Sequence, residues 1–338
     1  MKKLLLLWTL LLCSLGVFAQ EADSNLRIRF DLRFDGVFNT YLNNDTPNET
    51  GFEGRYFKLL IDGKIDEKFS YSMRQRLYKD NAFPSSFFGA TDWAYLSYQF
   101  HPNWNLSAGK QVVLIGGYEY DRAPIDVYFW SEFWNNVNPF QIGASIGYTS
   151  PDKRHNITAQ VTNSPFFTET LSNCFAYNLI WYGNMGNFKT IYSYNAIEYK
   201  DNHFIHYLAL GNQWTQNWFC WELDYMNRAS AKQDNPFADF SIISRMNFDI
   251  NSKTRLFVKG GYDQNKAQKA GTLNAFTYDL YVKPGVEYYY YGGGIELYPI
   301  ERLKKTLRLH AFVYTNNRDP QPISFNIGIR WQMNVLNK

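Results

Sequence analysis

The chain has 338 residues, 19% of them aromatic (26 Tyr and 27 Phe), and a formal net charge of +3. Charges so evenly matched leave no basic field to draw nucleic acid. Nothing after residue 20 supplies the run of about 20 apolar residues that a membrane helix needs.

Residues 1–19 read as a secretory signal: Lys2 and Lys3, an apolar run from Leu4 to Val17, then Val17-Phe18-Ala19 before an expected cleavage at Gln20. Leu10-Leu11-Leu12 ahead of Cys13 lacks the small residues of a lipidation site. Cleavage leaves 32 basic against 31 acidic residues. It also leaves two cysteines, Cys174 and Cys220, which allow one bridge at most and read as thiols. An exported chain without a membrane helix can enter a bilayer only as a closed barrel.

The first segment after the leader is LRIRFDLRFDGVF, 26–38. Leu26, Ile28, Phe30, Leu32 and Phe34 alternate with Arg27, Arg29, Asp31, Arg33 and Asp35, which is a strand with one apolar and one charged face. A soluble sandwich would turn the apolar face to a core. A membrane barrel would turn it to lipid and the charged face to a lumen. Alternating segments of about ten residues, the length of a tilted spanning strand, continue at 54–65, 68–78, 91–100, 104–113, 139–149, 155–163, 173–183, 188–198, 203–214, 218–228, 239–250, 254–263, 285–298, 305–315 and 322–335.

The connections decide between the two architectures. Those after even-numbered segments are short: DE, HPN, PDKR, GNMGN, TQN, NSK and IERLKK. Those after odd-numbered segments are mostly longer, among them 79–90, 114–138, 229–238 and 264–284. Sorting by parity is what an outer-membrane barrel shows, with periplasmic turns and external loops. A sandwich has no reason for it. The sequence therefore predicts an all-β chain, a transmembrane antiparallel barrel of about sixteen strands over 20–338. Aromatics near segment ends (Tyr56, Tyr71, Trp104, Tyr148, Tyr192, Trp214, Trp218 and Tyr298) suit interface girdles where they point outward.

GRYFKLLIDGKIDEKFSYSMRQRLY (54–78), followed by TDWAYLSYQFHPNWNLSAGKQVVLIGGYE (91–119), resembles the front half of the phosphate-selective porin O/P family. The matching positions run from Leu59 to Tyr71 and from Tyr95 to Lys110, and beyond residue 150 only the strand rhythm continues. The resemblance implies sixteen strands, a homotrimer, a third external loop folded into the lumen, and passage of anions or small solutes. The chain is short for that family and ends in WQMNVLNK, without a terminal aromatic residue.

If the apolar residues face lipid, Arg27, Arg29, Arg33, Arg74, Arg76, Arg245, Arg255, Arg308 and Arg330 point inward with Lys58, Lys189 and Lys259. Asp31, Asp35, Asp62, Glu222, Asp224 and Asp249 face them. Closure of the last strand on the first would gather Arg27, Arg29, Arg33, Arg74, Arg76, Arg308 and Arg330 into one basic strip. Arginine stays charged and grips phosphate or carboxylate in a fork, so the strip is read as attracting anions; mutual Arg–Asp neutralisation in a merely polar lumen is the alternative. The loop 114–138 is the candidate constriction. Its acids Glu119, Asp121, Asp126 and Glu132 are expected to face the basic wall across the aperture. That split ring speaks against strict phosphate selectivity.

No P-loop, G-x-S-x-G elbow or metal-ligand spacing is present in the sequence. His203 and His206 lie three apart in a strand and face opposite ways. The expected function is passive diffusion of small polar solutes and ions through a Gram-negative outer membrane, without cofactor, metal or catalysis. A non-channel exported protein, either a closed barrel or a secreted binding or adhesive module, is the alternative.

Overall fold

A computed structural model describes residues 26–42, 45–77, 88–166, 173–230, 235–266, 282, 285–301 and 306–337. The expected leader lies outside the described residues, as do parts of several external loops.

Sixteen antiparallel strands close into a barrel in which every strand pairs with its sequence neighbours and the last pairs with the first. They are β1 (Arg27–Tyr41), β2 (Glu49–Lys64), β3 (Phe69–Arg76), β4 (Thr91–His101), β5 (Trp104–Val112), β6 (Phe140–Thr149), β7 (His155–Asn163), β8 (Phe175–Met185), β9 (Phe188–Lys200), β10 (His203–Gln216), β11 (Phe219–Ser230), β12 (Asp239–Asn251), β13 (Thr254–Asn265), β14 (Glu287–Leu297), β15 (Leu307–Asn316) and β16 (Pro322–Asn337). The closing seam sets Arg33 opposite Arg330 and Phe34 opposite Ile329.

The segments expected from alternation reappear with small shifts. β2 begins five residues earlier than its pattern, because TGFEG continues the ladder with β1 as far as Asn39 opposite Glu49. The glycines there hide the strand from a count of apolar alternation.

Alternation also fixes the faces. On β16, Phe325, Ile327, Ile329 and Trp331 are exposed, while Ser324, Asn326 and Arg330 are buried. On β1, Phe34 and Phe38 are exposed and Arg33 and Asp35 buried. Two of the proposed girdle residues turn inward instead: Tyr298 is buried and donates to Glu296 at 2.6 Å, and Tyr56 lines the lumen. Within Tyr288–Tyr291 the side chains alternate, with Tyr288 and Tyr290 buried and Tyr289 and Tyr291 exposed. Cys174 and Cys220 are both thiols.

Ile327, 69% exposed near the middle of β16, is a direct probe of the lipid face. Ile327→Arg is expected to cost about 2–4 kcal/mol, the penalty of a cation at the bilayer midplane. Reversible denaturant unfolding in lipid vesicles reads it, and a change near zero would place β16 away from lipid.

Candidate functional site

Between β5 and β6 the chain enters the barrel as a long loop carrying two short helices, α1 (Tyr118–Asp121) and α2 (Glu132–Asn136), with a 3-10 turn at Pro124–Asp126 between them. Its apolar side chains explain why. Val113, Ile115, Phe133 and Val137 pack on Ala176, Ile197, Tyr207, Ala209 and Met226. Tyr128 and Phe129 pack on Phe257, Tyr290 and Phe312, with Tyr128 stacked on Phe257 at 5.0 Å. An apolar inner wall is unfavourable against water, and the loop covers it.

Polar contacts fix the loop's height. The backbone N–H groups of Tyr118 and Glu119 both donate to Asp224, each at 2.8 Å. That carboxylate meets the unsatisfied donors at the start of α1. The Gly116 N–H donates to the Ser193 hydroxyl at 2.8 Å, and the Asn195 amide donates to the Leu114 carbonyl at 2.7 Å. The approach needs glycine: a Cβ on Gly211 would sit 2.8 Å from Gly117 Cα, and Gly117 itself has φ +104°.

Two of the four loop acids, Glu119 and Asp126, therefore meet wall cations in direct contact rather than across the aperture. Glu119 pairs with Lys259, which also donates to the Phe129 carbonyl. Asp126 pairs with Arg308 at 2.7 Å and Arg330 at 3.1 Å. Glu132 pairs with Arg318, and Asp121 accepts from the Tyr182 hydroxyl at 3.0 Å. The reason is the apolar packing, which draws this part of the loop onto β8–β16; of the four acids, Asp121 borders the cavity left on the other side. Burial alone would raise the Asp126 carboxyl, but Arg308 and then Arg330 hold it below the usual carboxylate range. Asp121 is pushed up by burial, only partly offset by Tyr182 and Arg122.

The basic strip is likewise divided. Arg33 donates to Asp35 and to the Val127 carbonyl at 2.7 Å, beneath the loop. Arg245 and Arg308 reach Glu296 at 3.5 and 3.4 Å. Arg29 pairs with Asp31 at 2.8 Å, and Arg27 is exposed at the β1 start. Arg74 and Arg76 stand apart with Lys58. All three converge on Asp92, at 2.6, 3.1 and 3.0 Å. Arg74 also lies over the Trp93 ring, 3.7 Å from its centroid.

Asp92 was not among the inward acids expected from alternation. The β3–β4 ladder shifts there: Arg74 faces Trp93 while Gln75 faces Thr91, so Asp92 is an extra residue. A bulge of this kind sends two consecutive side chains to one face, and both Asp92 and Trp93 line the lumen. Glu296 was also missed, although Ile295 and Leu297 on the lipid face mark it as inward.

A cavity of about 660 Å³ remains between the loop and the β2–β8 wall. Lys58, Arg74 and Arg76 border it on the wall, and Asp121 and Arg122 on the loop.

Asp126 offers a test of the loop's seating. Its folded pKa is depressed, so its contribution is present above the ordinary carboxylate value of about 4 and is lost as pH falls through the lower folded one. Single-channel current is expected to stay quiet from neutral pH to about pH 4 and to become noisy only in stronger acid. Asp126→Asn should show the noise already at neutral pH. A quiet Asp126→Asn channel would mean that Asp126 does not hold the loop.

The family model for phosphate-selective porin O and P matches residues 24–179. No curated protein sequence matches the chain. Among solved structures the fold is similar to the outer-membrane channel DcaP of Acinetobacter baumannii, with a TM-score of 0.65 at 11% identity over 94% of this chain and 99% of that one. It is similar to an anion-selective porin from Comamonas acidovorans, with a TM-score of 0.65 at 8% identity over 92% and 100%. It is also similar to OmpT of Vibrio cholerae, with a TM-score of 0.61 at 12% identity over 93% and 99%. Residues 24–179 are thus similar in sequence to the phosphate-selective porins O and P, and the closed sixteen-stranded wall has the fold of these outer-membrane channels.

Proposed function

We propose that the porin passes small anions and polar solutes by passive diffusion along the β2–β8 side of its lumen. The observation that carries the reading is the convergence of Lys58, Arg74 and Arg76 on the single carboxylate of Asp92, bordering the cavity that the loop leaves open. Clustered guanidinium and ammonium groups lower the energy of an anion and raise that of a cation. Stacking on Trp93 holds the Arg74 plane, so little rotamer freedom is lost when an anion arrives. The chain acts as a channel rather than an enzyme.

The roles of the inward arginines divide accordingly. Arg74 and Arg76 meet the solute. Arg33, Arg245, Arg308 and Arg330 hold the loop, and Arg27 and Arg29 extend the basic track toward the periplasmic mouth. The anion selectivity of the Comamonas relative supports the preference, and the trimer form of the Vibrio OmpT supports assembly as a homotrimer. Residues 1–19 act as the leader removed on export.

The zero-current potential of the refolded protein in a planar bilayer, under a KCl gradient, tests the preference. Chloride is expected to be favoured over potassium, and Arg74→Gln with Arg76→Gln to lower that ratio by a factor of a few. Asp92→Asn should move it the other way. A conducting channel whose ratio ignores all three changes would overturn the anion reading. A folded barrel, shown by heat-modifiable gel mobility, that does not conduct would overturn diffusion itself.

A further inference from the structure

The charged residues of the lumen are not spread evenly. A single row of uncharged polar side chains runs in register across seven strands. Ser70 faces Ser97, Ser97 faces Ser107, Ser107 faces Ser145, Ser145 faces Gln160, Gln160 faces Asn178 and Asn178 faces Asn195. The members are joined: the Ser97 and Ser107 hydroxyls lie 2.6 Å apart, the Asn178 amide donates to Gln160 at 3.1 Å, and the Asn195 amide donates to Asn178 at 2.7 Å.

The two halves of this row do different work. Gln160 and Asn195 take the loop backbone at Leu114. Ser97, Ser107 and Ser145 instead border the open cavity, with Gln111 beside them. The same cavity is bordered by Lys58, Arg74 and Arg76. Arg74 and Ser70 are four residues apart on β3, which sets the cation cluster and the serine row about 13 Å apart along the strand. Tyr95 lies between the two levels, opposite Ser72, and also lines the cavity.

Inorganic phosphate can use only the first of these levels. A solute that carries an anion at one end and several hydroxyls at the other can use both. Its anion sits at the arginines, its ring passes the Tyr95 face, and its hydroxyls exchange bonds with the serines and Gln111. We propose, resting on the porin reading above, that this passage favours phosphorylated sugars over inorganic phosphate. The asymmetric lining is the reason: hydroxyl and amide groups, each able to donate and accept, match a polyol, while a bare ion held at the arginines stands about 13 Å short of them.

The test is block of single-channel chloride current by glucose 6-phosphate, inorganic phosphate and glucose, each at neutral pH in the same salt. Glucose 6-phosphate is expected to block at roughly tenfold lower concentration than phosphate, the worth of one or two net hydrogen bonds. Glucose should block least. Arg74→Gln should weaken block by both anions. Ser107→Ala with Ser145→Ala should narrow the tenfold gap between them to a factor of about two, as expected if most of the extra hydrogen bonding is lost. Equal block by the two anions in the natural protein, or a gap that survives loss of both hydroxyls, would overturn the proposal and leave the porin reading intact. A folded barrel without conductance would overturn both.

Discussion

The structure depends on covering an apolar sector of the inner wall. A porin lumen is expected to be polar, yet β8–β15 turn Ala176, Tyr207, Met226, Phe257, Tyr290 and Phe312 inward. Left wet, such a surface would cost tens of calories per Å². The loop between β5 and β6 carries the complementary rings, Phe133, Tyr128 and Phe129, and lies on this sector. The polar anchors at Asp224, Ser193 and Asn195 then fix its height. The passage is the part of the lumen that the loop does not occupy.

Charge follows from that packing. Wall cations under the loop must be compensated where they are, since an uncompensated buried charge costs several kcal/mol. Glu119 and Asp126 supply the compensation from the loop, and Asp35 and Glu296 supply it from the wall. The cations at Asp92 lie on the open side and line the cavity, with Lys58 and Arg74 themselves largely buried. One loop thus determines both the bore and which arginines a solute can meet.

The barrel was legible in the sequence because its two signals are local. Alternation such as Leu26 to Phe38 needs only neighbours, and loop parity needs only counting. The inner site was legible in part. The inward direction of Arg33, Arg74 and Arg330 followed from alternation and the structure keeps it. Their division between loop and passage did not, because it depends on contacts such as Arg330–Asp126, which join residues 204 positions apart. Asp92 was hidden by a different cause: the ladder slips by one residue there, so the period-2 rule points its side chain to lipid. The early start of β2 was hidden by Gly51 and Gly54, which carry no side chain to show alternation.

The slip at Asp92 has a further consequence. The sign of the charge beside Trp93 is set by the number of residues in β4 as much as by their identity. Removing one residue at the bulge would restore an unbroken ladder with β3 while leaving room for only one of the two inward side chains. A carboxylate would then be lost from the cation cluster with no acidic codon changed in kind. Relatives that differ here by a single insertion or deletion could exchange one ionic character for another while keeping the rest of the wall intact. In this barrel, part of the permeation property is written in length.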